Sequence, residues 1–544
     1  MRTAIKQQSF IKANHALRKF LFTVITLCFT SGPLLAQLVY QPYSFQFYQK
    51  FSDDLYSTKT RIHSSLKPFF VDDSLLKNTY DSLIICNKIK SPVYQKLFNE
   101  HLIDIKAAGY TFYADLLPDF QIGRDFSNDK TISLTSLGVQ IGGTIGSKFF
   151  FYGSFYDNEA RFPDYINAYA NRAGYIPGQE KDGNPGQSIK DYYYSSFLLS
   201  YTPVKFINFS LGKDKTFIGD GYRSMLLSDF ASNYPFLKLT ATVGNVRYMT
   251  MYTYLNNPNA PLATDGTHRN KWGYFQYLDW NVSNRISLGF FQNVMEANEG
   301  TSGQKRGFNV SLASPFTFLV PENNIDNDPG KNLLGFTGKY KIFDKTIIYG
   351  QFALNEFHSK DFLAGNGSVT NKSGYQLGFR GADLFQIKRL NYLAEFNTAR
   401  PFTYSSFDQT SNYSQADQPL AHPFGANFRE WLAILNYSAG RFDLQGQLNY
   451  AYYGLNPNGL DYGQDIFESY LNAANQYGNY VGQGIHTNFY YAEGKVAYII
   501  NPKYNLRLEL GGIYRDEKNS LSNNKTSMFT IGLRSSFRNI YNDF

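Results

Sequence analysis

Charge is scarce in this 544-residue chain: Asp, Glu, Lys and Arg together make up 18%, against about 25% in soluble domains. Tryptophan (3), methionine (6) and cysteine (2) are rarer still. A bundle of membrane-crossing helices needs several runs of about 20 apolar residues, and a chain built that way would not have a mean hydropathy of −0.36. Disorder is excluded as well. Disordered chains lack aromatics, and this one has 44 Tyr and 48 Phe. What fits is a large β protein whose strands alternate an apolar face with a polar one.

The first 36 residues read as a secretory leader. Arg2, Lys6, Lys12, Arg18 and Lys19 precede the apolar run 20–29, and Leu34-Leu35-Ala36 offers a small residue for cleavage. Cys28 follows Leu27 rather than the small residue that a lipoprotein signal wants, so no lipid anchor is expected. Removing the leader removes five of the 52 basic residues and no acid, which takes the net charge from +8 to +3. The basicity is mostly targeting and does not point to nucleic acid. One thiol, Cys86, would remain, so no internal disulfide is possible, and no Cys/His cluster has zinc-site spacing. A closed, hydrogen-bonded barrel in lipid would hold such a chain without disulfides.

Beyond the leader the texture changes twice. The stretch 36–51 is rich in Gln, Tyr and Phe and fits neither period. Asp72 or Asp73 can cap a helix carrying Leu76, Tyr80, Leu83 and Ile84, and Ser91-Pro92 opens a second one with Val93, Leu97 and Phe98. From Gly109 onward the period is two. Leu506, Leu508, Leu510, Gly512 and Tyr514 share one face, and Asn505, Arg507, Glu509 and Gly511 share the other. The same alternation runs through 441–452, 345–356 and 285–294, where Ile286, Leu288, Phe290 and Val294 form the apolar face. Alternation over about 10 residues marks a membrane-spanning strand, whereas soluble strands average about 5–6. Division of 110–544 at about 24 residues per strand and connection gives about 18 strands. Short turns alternate with long loops at 157–191, 401–428 and 454–485. The segment 526–544 reads as a last strand ending in the aromatic Phe544, with a bulge needed to fit its parity.

Chemistry is sparse. His63, His101, His268, His358, His422 and His486 stand in no triad, and no phosphate loop, His-Glu-x-x-His or calcium loop occurs. No catalysis, metal or cofactor is expected. Two passages are unusual. LGKDKTFIGDGYRSMLLSDFASNYPFLKL, 211–239, packs Lys213, Asp214, Lys215, Asp220, Arg223 and Asp229 between strands. A mid-plane Lys or Arg facing lipid costs about 2–4 kcal/mol, so this segment is expected to bend inward and plug the lumen. The passage 400–431 sets aromatics beside Asn, Gln, Arg and Glu, which suits stacking on sugar rings and hydrogen bonding to their hydroxyls.

The motif GKDKTFIGDGYRSMLLSD with YPFLKL resembles the capsule-assembly proteins of the Wzi type. QPLAHPFGANFRE, with KLFNEHLIDIK and YTFYADLLPDFQIGRD upstream, is similar to their Bacteroidota relatives known as gliding-motility RemB proteins. The resemblance runs patchily from about Lys96 to Trp431. It implies an 18-stranded outer-membrane barrel over a helical periplasmic bundle, and a lectin-like role in organising capsular polysaccharide without catalysis. The expectation is therefore an all-β outer-membrane antiparallel barrel of about 18 strands with a small N-terminal helical periplasmic region. Its parts would be a leader at 1–36, a periplasmic region at 37–108 and the barrel at 109–544. Lys213, Asp214, Asp220, Arg223 and Asp229 would lock the lumen, and Tyr404, His422, Arg429 and Glu430 would touch glycan on an extracellular loop. Partners would be outer-membrane lipid, the barrel assembly machinery and surface polysaccharide. The rival readings are a passive channel or hydrophobic-substrate transporter, and a barrel hydrolase.

Overall fold

The structure is a computed structural model describing residues 39–71, 76, 78–81, 91–264, 266–267, 270–300, 303–313, 332–356, 359–457 and 459–544. The expected leader, both cysteines, the caps Asp72 and Asp73, Leu83 and Ile84, and His15, His268 and His358 lie outside the described residues. The chain opens with β1 (Val39–Gln41), α1 (Phe45–Tyr48), α2 (Ser52–Tyr56), β2 (Leu66–Lys67), β3 (Phe69–Val71), α3 (Pro92–Phe98) and β4 (Ile103–Ala107). Long strands follow: β5 (Tyr110–Asp125), β6 (Lys130–Ile145), β7 (Phe149–Arg161), then α4 (Asp164–Ala173), β8 (Lys190–Val204) and β9 (Ile207–Asp214). After the two-residue β10 (Phe217–Ile218) come β11 (Tyr234–Val243), β12 (Val246–Asn256), β13 (Asn270–Asn281), β14 (Ile286–Ala297), β15 (Asn332–Phe343) and β16 (Thr346–Glu356). The helix α5 (Ser359–Ala364), β17 (Lys372–Gly381), β18 (Leu390–Ala399), and the short β19 (Ser414–Gln415) and β20 (Gln418–Pro419) precede β21 (Phe428–Ala439). The last four are β22 (Phe442–Leu455), β23 (Ile485–Asn501), β24 (Leu506–Lys518) and β25 (Asn523–Ser535).

Eighteen of these strands close an antiparallel barrel, β5–β9, β11–β18 and β21–β25, sealed where β25 pairs with β5 from Met528↔Asp125 to Leu533↔Phe120. The barrel is of the outer-membrane type, and the fold class and location expected above hold. Closure gives each of the eighteen strands a partner on both sides, which pairs the backbone donors and acceptors of the wall without water. Side chains alternate as the sequence demands. On β24, Leu508 is 52% exposed to the outside and its neighbour Arg507, facing the lumen, is 8%. Val294 departs from its expected lipid exposure, because Leu312 of the β14–β15 connection packs over it. One rim carries only short turns, such as 205–206, 244–245 and 440–441, and the other carries the long loops.

Two expectations are corrected at the ends of the chain. The last strand stops at Ser535, and residues 536–544 turn into the lumen, where Phe537, Tyr541, Asp543 and Phe544 are buried. A strand continued to Phe544 would carry Asn539 and Asp543 onto the lipid-facing parity of Phe529 and Ile531, where an acid is costly. Phe544 therefore does not end a strand. The edge of β5 left below β25 is taken by β4, from Ile103↔Ala114 to Ala107↔Tyr110. The N-terminal region, expected as a helical bundle at the base of the barrel, packs instead into its short-turn mouth. Ser57 bonds Asp344 (2.9 Å), Arg61 bonds Asn284 (3.1 Å) and His63 pairs with Asp279 (2.9 Å), all at short turns or strand ends on that rim. The helical signals at Leu76 and Tyr80 and at Ser91-Pro92 are realised as short helical pieces.

The parity of the wall is testable on β22. Leu448→Arg, on the outer face, is expected to cost about 2–4 kcal/mol, whereas Gln445→Arg, on the lumen face beside a cavity lined by Glu493, Glu509 and Asp543, should cost less because its charge finds acids there. Denaturant unfolding of each variant in lipid vesicles checks the difference.

Candidate functional site

The segment 215–233 does bend inward. Gly219 has φ +144°, and Gly221 leaves no room for a Cβ beside the Glu395 carboxylate. That lets Glu395 accept the backbone N–H groups of Tyr222 (3.0 Å) and Arg223 (3.1 Å). β10 pairs with β2, so the inward segment and the N-terminal segment meet in the middle of the lumen. Asp220 accepts from Ser64 (2.5 Å) and Ser65 (2.7 Å) and lies 3.5 Å from Lys339. Burial would raise its carboxyl, but Lys339, Lys67 and the two hydroxyls hold it at about 2.

Arg223 is the hub. Its guanidinium donates to Glu430 (Nη2 to Oε1, 3.0 Å) and to Asp543 of the tail (Nη2 to Oδ2, 2.9 Å) and lies over the Tyr222 ring. Asp229 accepts from Tyr541 (2.5 Å) and Asn539 (2.7 Å), which fixes the tail to the plug. Asp214 accepts from Tyr40 (2.8 Å), while Lys213 reaches out to Glu180 of the β7–β8 loop (2.5 Å). Thus Asp220, Arg223 and Asp229 knit plug, tail and N-terminal segment together, and Lys213 and Asp214 tie the plug's approach strand to a loop and to the N-terminal segment. The tail residue Asp543 has no motif around it in the sequence, and its role emerges only from the inward turn after Ser535.

The residues expected on an extracellular loop are placed differently. Tyr404 is 1% exposed and donates to the Met225 carbonyl (2.8 Å). His422 and Glu430 are buried beside Arg223, joined by a 2.8 Å contact. Arg429 stands on the outer wall near Tyr452. None of the first three offers a free surface, because the loop 400–427 folds down into the lumen, where Tyr404 and His422 find partners and Glu430 of the wall meets His422 and Arg223. The His422 Nδ1 accepts from Phe424 N–H (3.2 Å), so Nε2 carries the proton donated to Glu430. Burial pushes the His422 imidazole down to about 4 against the pull of Glu430.

What stays open lies at the long-loop rim. There the helix α4, the turned-in loop 400–427 and the β22–β23 loop enclose a pocket of about 250 Å³. Tyr169, Phe424 and Phe467 supply rings, and Asn259, Gln409 and Gln464 supply amides. Its frame is hydrogen-bonded: Gln464 to the Phe424 carbonyl (3.0 Å), Gln409 to Glu468 (3.3 Å), Asn259 N–H to Asp417 (2.9 Å). Rings beside fixed amides can stack on an apolar C–H face while bonding hydroxyls at its rim. By contrast, cavities between plug and wall are about 90, 90 and 40 Å³, room for a few waters each.

No protein-family profile and no curated protein matches this chain. Solved structures do. Wzi of Escherichia coli, an outer-membrane carbohydrate-binding β-barrel involved in group 1 capsule assembly, aligns with TM-score 0.55 at 14% identity, covering 92% of this chain and 100% of its own. OprD of Pseudomonas aeruginosa, an outer-membrane protein, aligns with TM-score 0.42 at 7% identity over 78% of this chain and 94% of its own. These likenesses are of fold.

Two outcomes follow from the lock. Arg223→Met strands buried carboxylates and is expected to cost about 3–5 kcal/mol, read as a lower temperature at which the folded barrel converts to its unfolded electrophoretic form. Adding Glu430→Gln should recover part of that loss. For His422, the folded value lies below the unfolded one of about 6.5, so its stabilising contribution is present above pH 6.5 and is lost as pH falls towards 4. The conversion temperature should drop over that window, and drop less in His422→Gln.

Proposed function

We propose that this outer-membrane barrel binds or organises surface polysaccharide and catalyses no reaction. The observation that carries the reading is the aromatic and amide pocket on the long-loop rim, the side that faces out of the cell when short turns face the periplasm. The carbohydrate-binding character of Wzi, a barrel of like fold, lends support. A packed lumen leaves the protein a surface at which to hold a polymer and no path through which to pass one, which disfavours the channel or hydrophobic-substrate transporter reading. The His422–Glu430 pair is buried against Arg223, out of reach of a substrate, which disfavours a hydrolase built on it. A role in surface motility, as the RemB resemblance suggests, would rest on the same handling of surface polymer.

Refolded protein in detergent, passed over immobilised surface polysaccharide of the producing cell, should be retained. Phe467→Ala removes a stacking face and is expected to weaken retention about tenfold, the equivalent of about 1.4 kcal/mol. Its heat-resistant electrophoretic mobility should be unchanged. Equal retention of Phe467→Ala and the parent protein would remove the pocket from the reading.

A further inference from the structure

Resting on the polysaccharide reading above, we propose that the rim pocket selects uncharged, hydroxyl-rich polymer and turns away carboxylated polymer. The distribution of charge carries this. The two loops that frame the pocket, 400–427 and 456–484, contain Asp408, Asp417, Asp461, Asp465 and Glu468 against one cation, Arg400, which donates to the Asn371 carbonyl. Three of those acids, Asp417, Asp465 and Glu468, line the pocket, against one cation among its described lining residues, Arg172, whose guanidinium lies over the Tyr169 ring at 5.3 Å. Lys215, Arg223, Lys339 and Arg380, by contrast, are buried in the plug and on the lumen wall. The lining of the pocket is therefore net acidic, three carboxylates against one guanidinium.

A sugar hydroxyl donates to a carboxylate and accepts from an amide N–H, and both partners are present. The amides already named are joined at the pocket wall by the buried Asn412, whose amide nitrogen has no hydrogen-bond partner among the described residues. A uronate or other carboxylated residue would instead meet like charge. Asp461, in the same loop, has its carboxyl pushed up to about 6, chiefly by its own burial, with Asp465 and Glu468 adding a smaller part. Two or three like charges at about 10 Å through water amount to a penalty of about four- to eightfold in affinity.

The test uses mannan, galactomannan and dextran, each beside its carboxymethylated derivative, immobilised and probed with the refolded full chain. The expected result is that at least one neutral polymer is retained and its carboxymethylated form is retained about fivefold less at about 0.01 M salt. That gap should close at about 1 M, where the screening length falls from about 30 Å to about 3 Å. Asp465→Asn with Glu468→Gln should narrow the ratio at low salt. Equal or tighter retention of the carboxymethylated form, or a ratio that neither salt nor the double substitution moves, overturns the selectivity while leaving polysaccharide binding standing. Retention of no polymer of either kind brings down the binding reading itself.

Discussion

A guanidinium at the centre of a barrel lumen has to find its counter-charges there, and Arg223 finds them 207 and 320 residues away in sequence, on Glu430 of the wall and Asp543 of the tail. The pairing is forced by the wall. Closing 18 strands sends every second side chain inward, and the inward set on β17, β18, β21 and β22 includes Arg380, Glu395, Glu430 and Asn449. Left in a narrow lumen these groups would be poorly solvated, and an unpaired buried charge is costly. The inward segment 215–233, the tail and the N-terminal segment bring the complementary groups, so the plug and the wall solve each other's problem.

This division explains the rest of the molecule. The plug is held at both ends, by Asp220 against Ser64 and Ser65 and by Asp229 against Tyr541 and Asn539. The loop 400–427 is drawn down onto it, with Tyr404 on the Met225 carbonyl and His422 on Glu430. Its descent leaves a hollow beside α4 and the β22–β23 loop, and that hollow is the rim pocket. The exposed part of the protein is thus a by-product of how the buried part is satisfied.

The wall was legible in the sequence because lipid imposes a strict period of two. Leu508 and Arg507 announce their faces without any neighbour's help, and β14, β16, β22 and β24 begin within two residues of where the alternation places them. The inward bend was legible too, since Asp220, Arg223 and Asp229 could not face lipid. Partners were not. Nothing in the spacing of Arg223 and Asp543 joins them, and the amide-rich passage 400–431 carries the same composition whether it stands in solvent or packs against a plug. Tyr404, His422 and Glu430 were readable as polar contacts but not as buried ones. The tail misled for a related reason: Phe529, Ile531, Leu533 and Phe537 continue the strand period, yet the pairing edge of β5 had already been given to β4. Local pattern reports what a residue prefers. Only topology reports which edge is vacant.

The claim on which everything else depends is that the lumen is filled and stays filled. Current through the refolded full-length protein in a planar lipid bilayer tests it most directly. A quiet membrane, with no stepwise conductance comparable to a porin's at voltages that leave the bilayer intact, is the predicted result. Persistent, stepwise open-channel conductance would contradict it and return the protein to the channel class.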